Sequence, residues 1–253
     1  MNQDFERIKT LYRDSLTQFG DSTEALLTPK GRQEERFSVP LQLVKEGDRI
    51  LDFGCGLGYL LSFLNEHCNS SFEYHGVDLS DDFIDVCKNK FRADNCRFDV
   101  IGPHEDVSGR YDIVFCSGVF NIKYGNDREA HKSYVFNKLQ QLYHKADRLL
   151  ITDFLSPNVD FKQDDSFHID YDSLLGFCQK NLSRRWSLRH DLLPYEVMLI
   201  VNVDERIARP QMYSRLPDDG KKESCNNNWI WLDGCHGRHI CKKKVARFRC
   251  GAR

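Results

Sequence analysis

Ile50-Leu51-Asp52-Phe53-Gly54-Cys55-Gly56-Leu57-Gly58-Tyr59-Leu60 is the stretch of sequence that decides the fold. In it, an apolar run ends in an aspartate, three glycines follow at alternate positions, and an apolar helix-like segment begins at once. Glycine allows positive φ angles and lets a ligand lie against the main chain. The N-terminus of the next helix offers free N–H groups and a positive dipole end. The stretch therefore predicts a strand, a tight turn at a ligand site and a helix.

The spacing of the glycines restricts the ligand. The dinucleotide fingerprint G-x-G-x-x-G requires a third glycine where this chain has Tyr59. A phosphate-binding P-loop is excluded because no Gly-Lys-Ser/Thr follows. A carboxylate at Asp52 suits a cationic ligand better than a pyrophosphate. The pattern D-x-G-x-G-x-G resembles the first motif of class I S-adenosylmethionine (SAM)-dependent methyltransferases. A glycine-rich turn of another doubly wound fold is the alternative.

Length and composition restrict the class of protein. The chain has 253 residues, 40% of them hydrophobic, which suits one α/β domain or one domain with an appendage. A net charge of −2 argues against attraction of the whole surface to nucleic acid or anionic membranes. No apolar run approaches the length of a membrane span, and the N-terminus is not that of a signal peptide. The ten scattered cysteines predict a reducing, cytoplasmic compartment.

The first 46 residues are predicted to form an N-terminal helical cap. Apolar residues recur every three or four positions from Phe5 to Phe19, which predicts an amphipathic helix over residues 2–19. Thr28-Pro29 predicts the start of a second helix that runs to about residue 45. The pair either covers the ligand site or packs on the edge of the sheet. On the second helix, Gln33 and Arg36 either reach the pocket or face solvent.

Residues 47–204 are predicted to form the SAM-binding core. The resemblance implies an α/β fold with a seven-stranded doubly wound sheet, helices on both faces, strand order 3-2-1-4-5-7-6 and strand 7 antiparallel. A closing hairpin of strands 6 and 7 separates this class from NAD-binding domains. The predicted strands are Arg49–Phe53, Phe72–Val77, Cys96–Val100, Tyr111–Cys116, Arg148–Phe154, Trp186–His190 and Tyr195–Val203.

An acidic residue follows the second strand. Asp78 lies about 20 residues after the last glycine of the turn, where a carboxylate accepts hydrogen bonds from both ribose hydroxyls of an adenosine. This position supports an adenosine ligand but does not separate SAM from NAD. In the family an acidic residue after strand 3 often meets the adenine amine. Here several residues of the run 99–106 compete for that role, and Pro103 occupies the usual acidic position.

The resemblance implies a set of contacts with SAM. Asp52 faces the amino group, the glycines admit the cofactor to the main chain, and Asp78 holds the ribose. Ser117 and Gly118 lie beside the methionine end. The predicted cofactor-binding residues are Asp52, Phe53, Gly54, Cys55, Gly56, Gly58, Asp78, Leu79, Ser117 and Gly118. Phe120 and Asn121 are predicted to face the methyl acceptor.

The segment after strand 4 helps to predict the class of methyl acceptor. The Asp/Asn-Pro-Pro-Tyr/Phe motif of enzymes that methylate nucleic-acid bases is absent, and Ser-Gly-x-Phe-Asn at residues 117–121 is similar to bacterial methyltransferases of undefined substrate. We therefore expect methyl transfer to an oxygen or nitrogen atom of a small-molecule acceptor. The alternatives are an RNA or protein methyltransferase and a non-catalytic SAM-binding module.

A general base would help to deprotonate a hydroxyl or ammonium acceptor, but the sequence does not identify it. His168 and Asp153 are the candidates. His190, Tyr171 and Glu196 are also considered, and local packing is the simpler interpretation for His190 and Glu196.

Residues 205–253 differ from the rest of the chain. Periodicity fades, and the basic run Lys242-Lys243-Lys244 follows a group of cysteines and histidines. The spacing in Cys235-His236-x-x-His239-x-Cys241 matches no standard zinc finger, so no metal site is assigned. We expect a poorly ordered or non-native extension. In the RNA or protein methyltransferase alternative, this basic segment docks the substrate.

Overall fold

The computed structural model describes residues 2–27, 31–125 and 127–203. These residues build one seven-stranded sheet in the order β3-β2-β1-β4-β5-β7-β6. The predicted strand order is confirmed. The strands are β1 Asp48–Phe53, β2 Phe72–Asp78, β3 Cys96–Val100, β4 Tyr111–Cys116, β5 Ala146–Leu155, β6 Trp186–Arg189 and β7 Glu196–Asn202.

Strand pairing brings the ends of the central strands together. β1 pairs in parallel with β2 and with β4, and Asp52 lies opposite Gly76 on one side and Phe115 on the other. β7 runs antiparallel to both β5 and β6, as the resemblance implied. Because parallel strands end at one edge of the sheet, residues that follow β1, β2 and β4 are neighbours there.

Helices cover both faces of the sheet, as predicted. They are α1 Asn2–Phe19, α2 Arg32–Leu43, α3 Tyr59–His67, α4 Asp81–Lys90, α5 Arg128–Lys145 and α6 Tyr171–Asn181. Side chains alternate across each strand, so neighbouring residues enter different cores. Leu51 packs in the core that includes α5 and α6, whereas Ile50 packs in the core that includes α2, α3 and α4.

The start of the second helix differs from the expectation. Thr28 and Pro29, the predicted start, lie outside the described residues, and α2 begins at Arg32 after Gly31 in the left-handed conformation. The helix continues through Pro40. A short 3-10 helix at Thr23–Leu26, which the apolar periodicity did not predict, joins α1 to this region.

The predicted division into a cap over residues 1–46 and a core over residues 47–204 stays a prediction. The extension over residues 205–253 also stays a prediction, because residues from 204 onward lie outside the described part. Within the described part of the chain, no helix is both long enough and apolar enough to cross a membrane.

Candidate active site

A cavity of about 640 Å³ opens at the carboxyl edge of the sheet. Its walls come from α1, α2, the glycine turn after β1 and the segments that follow β2, β3, β4 and β5. Both N-terminal helices contribute side chains, including Tyr12 from α1 and Gln33 and Arg36 from α2. Both N-terminal helices therefore form part of the cavity wall.

The glycine turn has the backbone that its sequence requires. Gly54, Gly56 and Gly58 have φ angles of 81°, 54° and 72°. Gly54 and Gly56 line the cavity, but Gly58 does not. A Cβ atom at Gly58 would lie 2.6 Å from Cε2 of Phe91, so this glycine makes room for core packing and for the start of α3. Its expected contact with the cofactor is thus not supported.

Asp52 is a buried carboxylate in the cavity wall. Its side chain is 3% exposed and accepts a hydrogen bond of 2.5 Å from the Tyr74 hydroxyl. Burial raises the pKa of Asp52 from 3.8 to about 7, against the opposing effect of the Tyr74 hydrogen bond and with a further contribution from Asp78. Among the described residues no cationic side chain pairs with Asp52. A cationic ligand in the cavity would therefore stabilise its charged form.

Asp78 connects the end of β2 to the glycine turn. One carboxylate oxygen accepts from the Gly56 N–H at 2.9 Å, and the other accepts from the Ser80 N–H at 2.8 Å. Burial raises the pKa of Asp78 although these backbone hydrogen bonds lower it. Asp78 and the adjacent Leu79 both line the cavity. The carboxylate thus has a fixed orientation beside the turn.

The residues after β3 settle which part of that segment meets the cavity. Asp99 pairs with His75, at 2.9 Å from Nε2, and does not line the cavity. Ile101, Gly102 and Pro103 line it instead. Of this segment, backbone groups and apolar side chains line the cavity, and no acidic side chain does.

The end of β4 is held by Asp153 of β5. One oxygen of Asp153 accepts from the Ser117 hydroxyl at 2.5 Å, and the other accepts from the Gly118 N–H at 2.7 Å. Ser117 and Gly118 line the cavity, whereas Asp153 is 2% exposed and lies behind them. Because Asp153 lies behind the cavity wall and is not part of its lining, it orients this loop and is not placed to deprotonate an acceptor.

Phe120 and Asn121, the two predicted acceptor contacts, have different environments. Phe120 is fully buried, stacks on Phe154 at 5.9 Å between ring centroids, and does not reach the cavity. The expectation for Phe120 is therefore wrong. Asn121 lines the cavity, and its Oδ1 is buried without a hydrogen-bond partner in the described part of the chain.

The histidine and tyrosine candidates for a general base lie outside the cavity lining. His168 is 5% exposed, and its Nδ1 is 2.6 Å from the Ser156 carbonyl oxygen, to which it donates. Tyr171 shares a hydrogen bond with the Ser156 hydroxyl, and Nε2 of the exposed His190 contacts the Pro194 carbonyl. These contacts fix the segments around β5 and β7. The structure thus does not bring His168 to the acceptor.

Glu196 does line the cavity, but it is paired. Arg36 donates to its two oxygens from Nε and Nη2, each at 2.6 Å, and Arg32 approaches to 3.6 Å. Arg36 Nε also lies 3.3 Å from Asp153. Sequence reasoning raised Arg36 and Glu196 separately and missed this pair. No local pattern could have shown it, since 160 residues separate the two.

The residues of the cavity fit SAM. Asp52, which has no cationic partner among the described residues, suits the positive charge of its methionine end. The oriented carboxylate of Asp78 suits a ribose diol. Gly54 and Gly56 let a ligand approach the main chain between these two carboxylates. The cavity therefore combines a site for a cation with a site for a nucleoside.

Comparison with known proteins agrees with a site for SAM. A family model described as a methyltransferase domain matches residues 44–185. An uncharacterized methyltransferase of Schizosaccharomyces pombe is 32% identical over 136 residues, which cover 49% of this chain and 43% of that protein. The chain thus matches less than half of the length of this relative.

Solved structures share the fold. The magnesium protoporphyrin IX methyltransferase of Synechocystis PCC 6803, solved with bound SAM, gives a TM-score of 0.55 at 15% identity, over 79% of this chain and 97% of that one. A SAM-dependent methyltransferase of Aquifex aeolicus gives 0.52 at 15% identity, over 74% and 100% of the two chains. At these identities the similarity shows the fold alone.

Proposed function

The chain belongs to the methyltransferase domain family; from this premise we propose that it is a class I SAM-dependent methyltransferase and that it methylates an oxygen or nitrogen atom of a small-molecule acceptor. The acceptor is bound in the cavity between the N-terminal helices and the loops after β4 and β5. We also propose that residues 1–46 act as a cap over this cavity.

The side chain of Asn121 carries the proposal. Its Oδ1 is buried and accepts no hydrogen bond from the described residues. A buried carbonyl oxygen without a hydrogen bond costs about 1–3 kcal/mol. With the side-chain amide turned towards the cavity that Asn121 lines, a hydroxyl or amine of an acceptor would supply the missing donor. Such groups are the ones that become O-methyl or N-methyl products. Asn121 would therefore both bind the acceptor and orient the atom that is methylated.

The size of the cavity supports a small acceptor. Its volume of about 640 Å³ falls within the range of about 300–1,000 Å³ that is usual for small-molecule sites. Side chains of α1 and α2 cover it, among them Phe5, Tyr12 and Gln33. A covered cavity of this size accommodates a cofactor with a small partner more readily than a folded macromolecule.

The cofactor and the residues of the cavity have separate roles in this proposal. SAM supplies an activated methyl group on its sulfonium. We propose that Asp52 balances the positive charge of the methionine end and that Asp78 binds the ribose. Ser117 and Gly118, held by Asp153, would shape the methionine pocket. Alignment of donor and acceptor is then the main contribution of the protein to the rate.

We propose a cytoplasmic location for this reaction. The six cysteines within the described residues are free thiols, and four of them are buried. Buried free thiols act as small apolar side chains and are typical of proteins that work under reducing conditions.

Transfer of a labelled methyl group would test the proposed acceptor class. The full-length protein is incubated with trideuteromethyl-SAM and separately with a small-metabolite extract, total RNA and a protein extract. Mass spectrometry then locates the label. We expect labelled small molecules that carry an O- or N-trideuteromethyl group. Asn121→Leu, nearly the same size but unable to accept a hydrogen bond, should abolish the labelling and leave S-adenosylhomocysteine (SAH) binding within about 3-fold of wild type.

Other outcomes would separate the alternatives. Label in RNA or protein, lost when Lys242, Lys243 and Lys244 are replaced by alanine, would reject the small-molecule proposal in favour of a docking tail. SAH binding without labelling of any fraction would instead support a SAM-binding module. An unchanged labelling rate in Asn121→Leu would remove Asn121 from the acceptor site.

A further inference from the structure

Arg36 uses only part of its guanidinium group within the protein. Nε and Nη2 donate to the two oxygens of Glu196, which occupies one edge of the planar group. Nη1 makes no hydrogen bond to any described residue. A guanidinium has five N–H donors, so those of Nη1 and the second one of Nη2 are left for another partner.

The unused edge faces the cavity. Arg36 lines the cavity although it is 7% exposed, and its Nη1 lies 3.8 Å from the position of a Cβ atom built on Gly118. Gly118 also lines the cavity. The free donors of Arg36 therefore lie beside the loop that follows β4.

The position of this edge is rigid. Glu196 holds the guanidinium from β7, and Asp153 lies 3.3 Å from its Nε. Asp153 in turn accepts hydrogen bonds from Ser117 and Gly118. Three strands, β4, β5 and β7, thus fix one arginine and the adjacent loop in a common network. A preorganised guanidinium loses little entropy when it binds a second partner.

A planar pair of N–H donors matches a carboxylate best. SAM carries one, on the same carbon as its ammonium group. In the same cavity the buried Asp52 has no cationic partner among the described residues and suits that ammonium. A cation and an anion that line the same cavity match the zwitterionic end of the cofactor.

We propose that Arg36 binds the α-carboxylate of SAM through its free Nη1 and Nη2 donors, while Glu196 and Asp153 hold the guanidinium in place. Arg36 is then a cofactor-binding residue on the cap, and it connects α2 to the methionine end of the ligand. This assignment rests on the SAM-dependent activity and is independent of the acceptor, because it concerns binding in the absence of any acceptor.

Calorimetry with two ligands tests the assignment. SAH contains the α-carboxylate, and 5′-methylthioadenosine lacks the whole amino-acid end but keeps the nucleoside. Arg36→Lys retains the positive charge and loses the planar fork. We expect it to weaken SAH binding roughly 10- to 100-fold, which corresponds to the loss of a charged hydrogen-bonded pair. Binding of 5′-methylthioadenosine should stay within about 3-fold of wild type.

Arg7→Met is the matched control, because Arg7 is an exposed arginine of α1 outside the cavity lining. It should change neither affinity. Wild-type protein alone provides a second test if the Arg36 variant fails to fold. Decarboxylated SAH, which keeps the ammonium and lacks only the carboxylate, should bind at least about 10-fold more weakly than SAH.

Two results would overturn the proposal. Equal weakening of SAH and 5′-methylthioadenosine in Arg36→Lys would mean that Arg36 only supports the fold of the site. Equal affinity of wild type for SAH and its decarboxylated form would mean that no residue recognises this carboxylate. If SAH binding is unchanged in Arg36→Lys but a higher KM for the acceptor appears, the carboxylate partner belongs to the acceptor and the proposal is also wrong.

Discussion

Arg36 of α2 and Glu196 of β7 form a two-pronged ion pair across the cavity wall, with Nε–Oε2 and Nη2–Oε1 distances of 2.6 Å. Both side chains are almost completely buried. The pair joins α2 to β7. The attachment of α2 and the geometry of the site therefore depend on the same two residues.

Removing one partner of this pair should destabilise the protein strongly. Arg36→Met leaves Glu196 and Asp153 without their main cation, and Glu196→Met leaves Arg36 with Asp153 alone. We expect each change to lower the free energy of unfolding by about 3–5 kcal/mol, because a buried charge loses its partner. The double variant should lose clearly less than the sum. Urea unfolding of the ligand-free proteins measures these values, and additive losses would show that the pair is not coupled.

Asp52 should make the stability of the free protein depend on pH. Its folded-state pKa is raised from 3.8 to about 7, so the folded protein binds more protons than the unfolded chain between these values. Stability from this group is present at low pH and is lost as the pH rises through about 7. Asp52→Asn should therefore gain stability relative to wild type between pH 5 and pH 8 in thermal unfolding. A constant difference across this range would contradict the buried state of Asp52.

The same carboxylate should link SAM binding to pH. A cationic ligand favours charged Asp52, so wild-type affinity for SAM should rise by roughly 10-fold from pH 6 to pH 8, with release of a proton. Asp52→Asn should bind more weakly and lose this dependence. Tyr74→Phe removes the hydrogen bond that lowers the pKa of Asp52, and it should move the transition to higher pH. Calorimetry in buffers of different ionisation enthalpy counts the protons.

His131 should destabilise the protein in mild acid. Its Nδ1 accepts from the Tyr124 N–H at 3.0 Å, and its Nε2 faces the Phe120 carbonyl oxygen at 3.3 Å. These two contacts hold the loop after β4. Burial lowers the pKa of His131 from 6.5 to about 4, against the opposing effect of the Phe120 carbonyl.

The unfolded chain thus binds an additional proton between these pH values, and stability from His131 is lost as the pH falls from 6.5 towards 4. His131→Phe should be less stable than wild type at pH 7 and should show a shallower loss towards pH 5. His190→Phe, at an exposed position, serves as the control and should follow wild type. Parallel curves for His131→Phe and wild type would contradict this role.

Gly58 should be needed for packing and not for cofactor contact. An alanine there would combine a φ of 72° with a Cβ 2.6 Å from Phe91 Cε2. We expect Gly58→Ala to lower the free energy of unfolding by more than about 1 kcal/mol. Part of this loss should be recovered in combination with Phe91→Leu. At temperatures where the variant is folded, its SAH affinity should equal that of wild type, and a selective loss of affinity would return Gly58 to the cofactor site.

Local signals in the sequence predicted much of the fold. β3 and β4 have the predicted bounds, and a local signal also starts α4, where the Ser80 hydroxyl accepts from the Phe83 N–H. These features depend on residues within a few positions of one another. The start of α2 was predicted at Thr28-Pro29 but lies at Arg32, because its N-cap residue Gly31 offers no cap side chain that a pattern would reveal.

Side-chain direction was the main source of error within the site. Phe120 and Asn121 are neighbours in sequence, yet one is in the core and the other lines the cavity. Where it is described, the loop after β4 has no regular secondary structure, so no sequence periodicity predicts which of its side chains are buried. His168, a candidate base, follows β5 in the chain, but the fold turns its ring towards the Ser156 carbonyl.

The sequence by itself determined the class of fold and the methyl donor. A strand, three glycines and an acidic residue on each side of them lie within 29 residues, from Ile50 to Asp78 along a single βαβ unit. Local backbone preferences are therefore sufficient to specify a SAM site. The tertiary structure decided which polar groups are free to act. Arg36, Asp153 and Glu196 come from separate elements, and only their packing shows that the carboxylates are occupied and that one edge of the arginine remains open. Contacts between residues so distant in sequence depend on how complete elements pack, which no short pattern encodes.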